Sequence, residues 1–431
     1  MPCERGGNET LGAQKFFGEI GGGRDRTSLS ETALAPRKRS IFEMIKKRKK
    51  LPYIVIGGYA GCGNLGDDAI LQGILEGLWQ NGILPRSVTV LSGRPRRDAA
   101  RFGVRCVHRM NPFSLIFSLF CADLFVSGGG TLLQNRTGRR SLFYYLFLLR
   151  LARLCGCRTV VLGGLGAISG LRARRSVKNE LEKCAAIFLR DELSAALARE
   201  MGLKNPRLTV GADSAFLLPE PPPLRSAYLV ARLVGDLKKQ FLCVCPCGGA
   251  STKGLAEFLR GSFAGFYPIF LLCDPVRDES SARRLQARFG GILYVPRDVS
   301  EAAALFRSAQ IVLSSRLHPL ILSVRVGARC VCLSGGDPKL SAFCQSAGIP
   351  LFSADMGAEN PPSAAALGTI PAPDGAEFCR KAAKDLAILS RMVYNGIYNG
   401  KEEPSAEQRR TTGRILHEKR AAGGSAPPDH H

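Results

Sequence analysis

The sequence predicts an α/β protein with two doubly wound domains and a cleft between them. From Tyr53 onward, short β-branched or apolar runs alternate with longer helical stretches, this alternation occurs twice, and a proline-rich segment, Leu218 to Pro223, separates the two series. Such alternation is typical of right-handed βαβ units in a mostly parallel sheet. Ligands of these sheets bind outside the carboxyl ends of the strands, so two such domains predict a binding cleft between them.

Each predicted strand is a short run of apolar or β-branched residues. The first series contains Tyr53 to Gly57, Ser87 to Leu91, Val104 to Val107, Leu124 to Ser127, Thr159 to Leu162 and Ala186 to Leu189. The second contains Phe241 to Cys245, Pro268 to Cys273, Gly291 to Val295, Gln310 to Leu313 and Arg329 to Leu333. Its predicted helices include Ser280 to Phe289, Val299 to Ser308 and Pro338 to Ala347.

The domain boundaries follow from these series and from composition. We expect a basic flexible tail at 1–51, a first domain at 52–218, a proline linker at 219–224, a second domain at 225–374, a C-terminal helix at 375–400 and a flexible tail at 401–431. The last helix, about Ala376 to Tyr398, is expected to pack back across the first domain. The first tail ends in a basic run, Lys46 to Lys50, which is suited to solvent or to anionic lipid.

The charge balance points to an anionic partner. The chain of 431 residues has 60 Lys and Arg against 36 Asp and Glu, a formal net charge of +24. Nucleic acid, an acidic membrane and a phosphate- or carboxylate-bearing substrate all fit such a charge. The sequence has no recognition motif of the common nucleic-acid-binding folds, so no nucleic acid is expected.

Segments that would direct the protein out of the cytoplasm are not visible. No run reaches the roughly 18 apolar residues that a membrane span needs, and no secretory signal opens the chain. The fifteen cysteines lie mostly in apolar runs and are expected to be core residues in a reducing compartment. A cytoplasmic protein is therefore predicted. The apolar helix Leu142 to Leu149, which ends in arginines, leaves open a peripheral contact with the inner face of the cell membrane.

A glycine-rich loop joins the first predicted strand to a helix. Gly61, Gly63 and Gly66 match a Gly-x-Gly-x-x-Gly spacing, which brings backbone N–H groups close to an anion at a helix N-terminus. A dinucleotide site would need an acid after the second strand, where Arg94 stands instead, so only an NADP interpretation survives. Asp67 and the following Asp68 fit an N-cap and a first-turn acid, and would repel a pyrophosphate.

Two further strand ends are rich in glycine. Ser127 is followed by Gly128, Gly129 and Gly130, and the next strand ends in Gly163 and Gly164. Glycines at such positions let a ligand approach the backbone, so three glycine-rich strand ends indicate one shared cleft.

A Ser-Ser-Arg-Leu-His segment follows a strand of the second series. Arg316 and His318 are predicted at the carboxyl edge of the second sheet, with Pro319 in the first turn of the next helix. Arginine binds carboxylate or phosphate and histidine exchanges protons, so the two are the catalytic candidates. A surface ion pair for Arg316 and a core or capping role for His318 are the structural alternatives. His108 is the weaker histidine candidate.

Several of these stretches together resemble the polysaccharide pyruvyl transferases, in particular the CsaB type. The matching stretches are Gly58 to Leu71, Ser127 to Gln134, Ser141 to Tyr145, Arg190 to Asp191, Ala212 to Phe216, Ser315 to Ile321 and Asp337 to Lys339. The resemblance implies a GT-B-like pair of Rossmann-type domains. It also implies transfer of a pyruvyl group from phosphoenolpyruvate onto a sugar of a lipid-linked cell-wall precursor, as a cyclic ketal.

The resemblance also implies which residues form the site. Arg316 would clamp the donor and His318 would act as acid or base. Phosphoenolpyruvate would be the donor substrate, no cofactor is expected, and no metal is expected because no metal-binding cluster is visible in the sequence. The substrate-binding residues would be Gly61, Gly63, Asn64, Gly66, Asp67, Gly128, Gly129, Gly130, Gln134, Arg190 and Leu317. Cys245-Pro-Cys247 stands where many members have an arginine, for which Arg190 or Arg232 would substitute.

Three other functions stay open on the sequence. They are a GT-B-type glycosyltransferase that uses a nucleotide sugar, an NADP-dependent oxidoreductase, and a non-catalytic adaptor at a membrane surface.

Overall fold

Two parallel β-sheets with helices on their faces form the protein. The computed structural model describes residues 52–136, 138–236, 239–247, 255–256, 259–261, 263, 265–334, 336–353 and 369–398, so the two predicted tails lie outside the described residues. The first sheet has seven strands and the second has six, and every described strand pair is parallel. The predicted α/β class with doubly wound sheets is confirmed.

The first sheet has the strand order β3-β2-β1-β4-β5-β6-β7. Its strands are β1 (Ile54–Gly57), β2 (Val88–Ser92), β3 (Arg105–His108), β4 (Leu124–Leu133), β5 (Arg158–Leu165), β6 (Ala186–Leu189) and β7 (Leu208–Val210). The intervening helices are α1 (Leu65–Gln80), α2 (Pro95–Phe102), α3 (Pro112–Cys121), α4 (Arg139–Leu154), α5 (Leu171–Leu181) and α6 (Glu192–Glu200). The strand order reverses between β1 and β4, and ligands of open α/β sheets bind at such a reversal.

The second sheet repeats this design with the order β10-β9-β8-β11-β12-β13. Its strands are β8 (Phe241–Cys245), β9 (Tyr267–Leu271), β10 (Ile292–Tyr294), β11 (Ile311–Ser314), β12 (Cys330–Ser334) and β13 (Leu351–Ser353). The helices that follow β7 are α7 (Pro223–Val234), α8 (Pro275–Phe289), α9 (Val299–Ser308), α10 (Leu317–Arg325), α11 (Pro338–Ala347) and α12 (Ala376–Tyr398). The order reverses between β8 and β11.

The structure differs from the predicted elements at several places, and α8 begins at Pro275, five residues before its predicted start. Strands β4 and β5 continue past their predicted ends and pair through the glycines, with Gly129 opposite Gly163 and register shifts on either side of Thr131. Strands β7 and β13, each of three residues, were not predicted. Helix α7 begins at Pro223, inside the predicted linker, because proline is favoured in a first helical turn. The predicted domain boundaries otherwise stay predictions.

The C-terminal helix packs against α1, as expected from the sequence. A Cβ atom at Gly77 of α1 would lie 2.6 Å from Leu386 of α12, so the two helices are in close contact. One apolar cluster runs from β1 and α1 through α12 to β8 and β11. Among the described helices, none combines the length and the apolarity needed to cross a bilayer.

Candidate active site

The carboxyl ends of the two sheets face each other directly. The backbone N–H of Leu65, at the start of α1, donates to the carbonyl of Cys273, just after β9 (2.9 Å). A side chain at Gly66 would overlap the ring of His318, which lies at the start of α10. The predicted glycine loop and the predicted Arg-Leu-His segment are therefore in contact across the cleft.

The glycine loop is held by its own backbone and by the end of β2. Gly61 has a φ of +76°, and a Cβ there would lie 2.6 Å from Ser92 and Asp98, so both conformation and space require glycine. Asn64 is the N-cap of α1, since its side chain accepts from the N–H of Gly66 (2.9 Å). The expected cap at Asp67 is therefore wrong, because Asn64 already takes that place. Asp68 pairs with Arg101, and Arg94 is exposed beside the loop.

The other predicted glycines have different surroundings. Gly63 has φ +82° and open space around its Cα, whereas a Cβ at Gly128 would lie 2.8 Å from Ile74 of α1. A Cβ at Gly129 would lie 3.0 Å from Leu132. A Cβ at Gly130 would lie 3.4 Å from Ile70 and would also face two polar side chains, with Arg190 Nη1 at 3.6 Å and Asp67 Oδ1 at 3.8 Å. Gly128 and Gly129 are thus used in packing.

Arg316 is held by a buried carboxylate. Its Nε donates to Asp278 Oδ1 (3.0 Å), its Nη2 contacts the same oxygen, and Asp278 has no exposed surface. A buried carboxylate without a cationic partner would strongly destabilise the fold, and Arg316 provides that partner. Arg316 is the N-cap residue of α10, with Leu317 and His318 in the first turn, as predicted. The Arg316–Asp278 pair therefore fixes the segment that carries His318.

A second buried network surrounds Arg190, at the end of β6. Its Nη1 donates to Asp213 Oδ2 (2.7 Å), its Nε to Asp191 Oδ2 (3.3 Å) and its Nη2 to Thr131 Oγ1 (3.3 Å). The same Thr131 oxygen accepts from Lys339 Nζ (2.7 Å). Two cations from the two sheets thus meet at one threonine hydroxyl.

Asp213 links this network to His318. Its Oδ2 lies 3.9 Å from His318 Nε2, a buried atom without a hydrogen-bond partner among the described residues. Burial lowers the pKa of His318 to about 4, despite the opposing effect of Asp213. Burial and the neighbouring Asp68 raise the pKa of Asp67 to about 7. The imidazole is therefore neutral at pH 7, while the carboxyl of Asp67 is partly protonated.

A cavity of about 580 Å³ opens beside the network. Its wall carries Arg190, Asp213, Leu317 and Lys339, and its apolar part is formed by Phe216, Phe343 and Phe378. The rings of Phe216 and Phe378 stack with centroids 4.8 Å apart. This combination of convergent cations with an apolar wall is typical of a site for a small organic anion.

A comparison of the sequence with models of known protein families shows the family to which the chain belongs. The profile of the polysaccharide pyruvyl transferases matches residues 64–337, which is more than half of the chain. The chain belongs to the polysaccharide pyruvyl transferase family. The protein is therefore a transferase that modifies polysaccharides, and its acceptor is a saccharide. Among curated proteins, none matches the sequence.

Solved structures share the fold of this pyruvyl transferase at low sequence identity. Anabaena HepE in complex with UDP and glucose has a TM-score of 0.50 and 12% identity, with 86% of this chain and 100% of that chain covered. The UDP-GlcNAc 2-epimerase of Methanocaldococcus jannaschii has a TM-score of 0.50 and 10% identity, covering 85% and 100%. These similarities establish the GT-B-like arrangement of the fold.

The structure places the remaining predicted residues of the transferase at different distances from the network. Gln134 lies next to Gly166, whose Cβ position is 2.6 Å from both Gln134 and Thr131. His108 is exposed on β3, and Arg232 is exposed on α7, outside the cavity wall. Of the two arginines expected to replace the missing one near Cys245, only Arg190 lies in the cavity.

Four residues of the network were not among the predicted site residues: Thr131, Asp191, Asp213 and Lys339. Each belongs to a stretch that resembles the family, and each lies near the carboxyl end of a strand or in the segment that follows one. Their position after strands of parallel sheets was the available signal. No cluster of His, Cys, Asp or Glu among the described residues is suited to hold a metal ion.

Proposed function

We propose that the protein transfers the pyruvyl group of phosphoenolpyruvate onto a sugar of a lipid-linked cell-wall precursor, as the CsaB type does, at the cytoplasmic face of the membrane. The observation that carries this proposal is the meeting of Lys339 and Arg190 at Thr131. Both cations lie on the wall of the cavity, as does Leu317, the residue before His318. Phosphoenolpyruvate bears both a carboxylate and a phosphate, which suits a site with two cations.

Lys339 is the cation whose charge is available to the donor. Among the described residues, no carboxylate lies within ion-pair distance of its Nζ, whereas Arg190 is matched by Asp213 and Asp191. Burial, with the nearby Arg190, lowers the pKa of Lys339 to about 8. A bound anion would stabilise the charged ammonium. We therefore assign donor binding to Lys339 and Arg190, and assign Arg316 the positioning of His318.

The proposed chemistry uses Asp67, in the first turn of α1, and His318, in the first turn of α10, whose ring lies against Gly66, the residue before Asp67. Their pKa values are separated by their surroundings, which is how one site supplies both an acid and a base. Asp67 gives its proton to the methylene carbon of phosphoenolpyruvate. His318 takes the proton of a sugar hydroxyl whose oxygen bonds to the adjacent carbon.

The second half of the reaction restores both groups. The bond from that carbon to the phosphate oxygen breaks, and the protonated His318 gives its proton to the leaving phosphate. A neighbouring sugar hydroxyl then bonds to the same carbon and gives its proton to Asp67, which closes the ketal. The net products are the ketal and inorganic phosphate, so no oxidant or reductant is consumed.

Binding of phosphoenolpyruvate should depend on pH through Lys339. Below its pKa of about 8 the ammonium is charged and binds the anion, and above it the affinity should fall by about tenfold per pH unit. Isothermal titration from pH 6.5 to 9.5 measures this dependence. The Lys339→Arg variant provides the matched control, because a guanidinium stays charged throughout and its affinity should not fall.

Thermal-shift measurements with three ligands separate the proposal from its alternatives. Phosphoenolpyruvate should raise the apparent stability by mass action, whereas UDP-glucose and NADP should not. Stabilisation by UDP-glucose alone would assign the protein to nucleotide-sugar chemistry. Stabilisation by NADP alone would assign it to redox chemistry.

A further inference from the structure

Helices α3 and α4 carry a second apolar face that the fold leaves uncovered. Their inner sides are buried in one core cluster, through Leu115, Leu119, Leu142 and Leu146. Their outer sides expose five large apolar residues, which we call the aromatic face: Phe113 (85% exposed), Ile116 (38%), Phe117 (60%), Phe143 (67%) and Phe147 (42%). Clustered exposure on this scale marks an interaction surface.

The charge around the aromatic face is almost entirely positive. Between residues 101 and 154 the sequence has eight arginines and one acidic residue, Asp123. The side chain of Asp123 accepts from the N–H of Tyr53. At the start of α4, Arg139 and Arg140 are exposed, and no carboxylate of the described residues lies within ion-pair distance of either. An anionic partner is therefore complementary to this face.

The residues of α4 alternate basic and apolar side chains along one side. Arg140, Phe143, Phe147, Arg150 and Leu154 follow one another at steps of three and four residues, which places them on one face of the helix. Arg150 is paired with Glu180 (2.9 Å). Aromatic residues between arginines are typical of helices that lie in the plane of a membrane interface.

The aromatic face adjoins the mouth of the cleft. Tyr144 of α4 donates through its hydroxyl to the carbonyl of Arg109, just before α3 (3.2 Å). The guanidinium of Arg109 in turn lies over the ring of Tyr59 in the glycine loop, 5.3 Å from its centroid. A surface on which this face rests would therefore lie next to the glycine loop.

We infer that the aromatic face docks the protein on an anionic phospholipid bilayer, with its aromatic side chains in the interface and its arginines on the headgroups. Apolar burial and attraction to anionic lipid act together on such surfaces. Docking would present the cleft to an acceptor held in the membrane. The inference goes beyond the proposed function, because vesicle binding needs neither donor nor acceptor.

Vesicle sedimentation with the full chain tests the inference. Vesicles of phosphatidylglycerol and phosphatidylcholine should bind the protein, and vesicles of phosphatidylcholine alone should bind it much less. The double variants Phe113→Ser/Phe117→Ser and Arg139→Glu/Arg140→Glu should each lose about tenfold in binding. Matched controls on α7 and α8 should not change it: Leu224→Ser/Val276→Ser, at residues 86% and 95% exposed, and Arg284→Glu/Arg288→Glu.

A fluorescent reporter distinguishes insertion from surface attraction. The chain has one tryptophan, Trp79, which is buried in α1. A Phe117→Trp variant should therefore report on the face, with emission that shifts to the blue on binding anionic vesicles. An unshifted emission from bound protein would contradict insertion of the aromatic face.

Three outcomes would overturn the inference. The first is a failure of the unmodified chain to bind phosphatidylglycerol vesicles. The second is binding that survives both double variants but is lost on deleting residues 1–50, which would assign it to the basic tail. The third is self-association, measured by sedimentation velocity, that the Phe113→Ser/Phe117→Ser variant abolishes in the absence of vesicle binding, which would assign the face to a second copy. Retained transfer to a detergent-solubilised acceptor would leave the proposed function intact in each case.

Discussion

Replacement of His318 by alanine is expected to lower the rate of pyruvyl transfer by about 10²–10⁴-fold, the usual contribution of a general acid–base group. The imidazole is neutral above its pKa of about 4, and its buried Nε2 has no hydrogen-bond partner among the described residues. It is therefore free to accept a hydroxyl proton. The rate of transfer is measured as the rate of phosphate release in the presence of phosphoenolpyruvate and a saccharide acceptor.

The matched control is His108→Ala. His108 is exposed on β3, and its Nδ1 accepts only a long bond from the N–H of Met110 (3.3 Å). Its replacement should change neither turnover nor the thermal midpoint. The His318→Ala variant removes no hydrogen bond between described residues, and its thermal midpoint checks that it is folded when turnover is measured. Undiminished phosphate release from His318→Ala would remove its assigned role.

Replacement of Arg190 by alanine is expected to destabilise the fold by about 3–5 kcal/mol, the usual cost of leaving one partner of a buried ion pair alone. The side chains of Arg190 and Asp213 are only 6% and 5% exposed, and they are joined at 2.7 Å. The truncation would leave the Asp213 carboxylate buried without its cation. Urea denaturation gives the free energy of unfolding.

Arg199→Ala is the control for this loss of stability. Arg199 also lines the cavity, but it is 69% exposed, and its partner Glu192 is 75% exposed at 3.5 Å. Exposed pairs contribute little, so its loss should cost less than about 1 kcal/mol. Equal effects of the two substitutions would show that the Arg190 network is not a buried support of the site.

Much of the architecture could be predicted because parallel strands buried on both faces are continuous apolar runs. Strands such as Phe241–Cys245 and helices such as Val299–Ser308 lie at their predicted residues. The two short edge strands, β7 and β13, were missed because each has three residues of which one is polar, Thr209 or Ser353, whereas the equally short β10 is apolar throughout. The extension of β4 through its glycines was missed because glycine is ordinarily unfavourable in a strand. In the structure Gly129 is paired with Gly163 of the neighbouring strand β5.

Part of the site was predictable from the order of strands and helices along the sequence. Residues at strand ends, such as His318 and the glycine loop, gather at one edge by topology alone. The partners of these residues depend on tertiary contacts that no local pattern contains. Lys339 reaches Thr131 across 208 positions of the sequence, and Arg316 reaches Asp278 across 38. The sequence predicted a donor clamp at Arg316 but gave no sign of its partner Asp278.

Mass spectrometry of saccharide acceptors after incubation with phosphoenolpyruvate measures the proposed transfer directly. A panel of lipid-linked amino sugars would be incubated with the protein, with His318→Ala as the inactive control. We predict that one acceptor gains the mass of a pyruvyl ketal, only with phosphoenolpyruvate and with release of one phosphate for each ketal formed. A gain of a hexose from UDP-glucose, with no pyruvyl gain on any acceptor that the protein modifies, would contradict the assignment of donor and reaction.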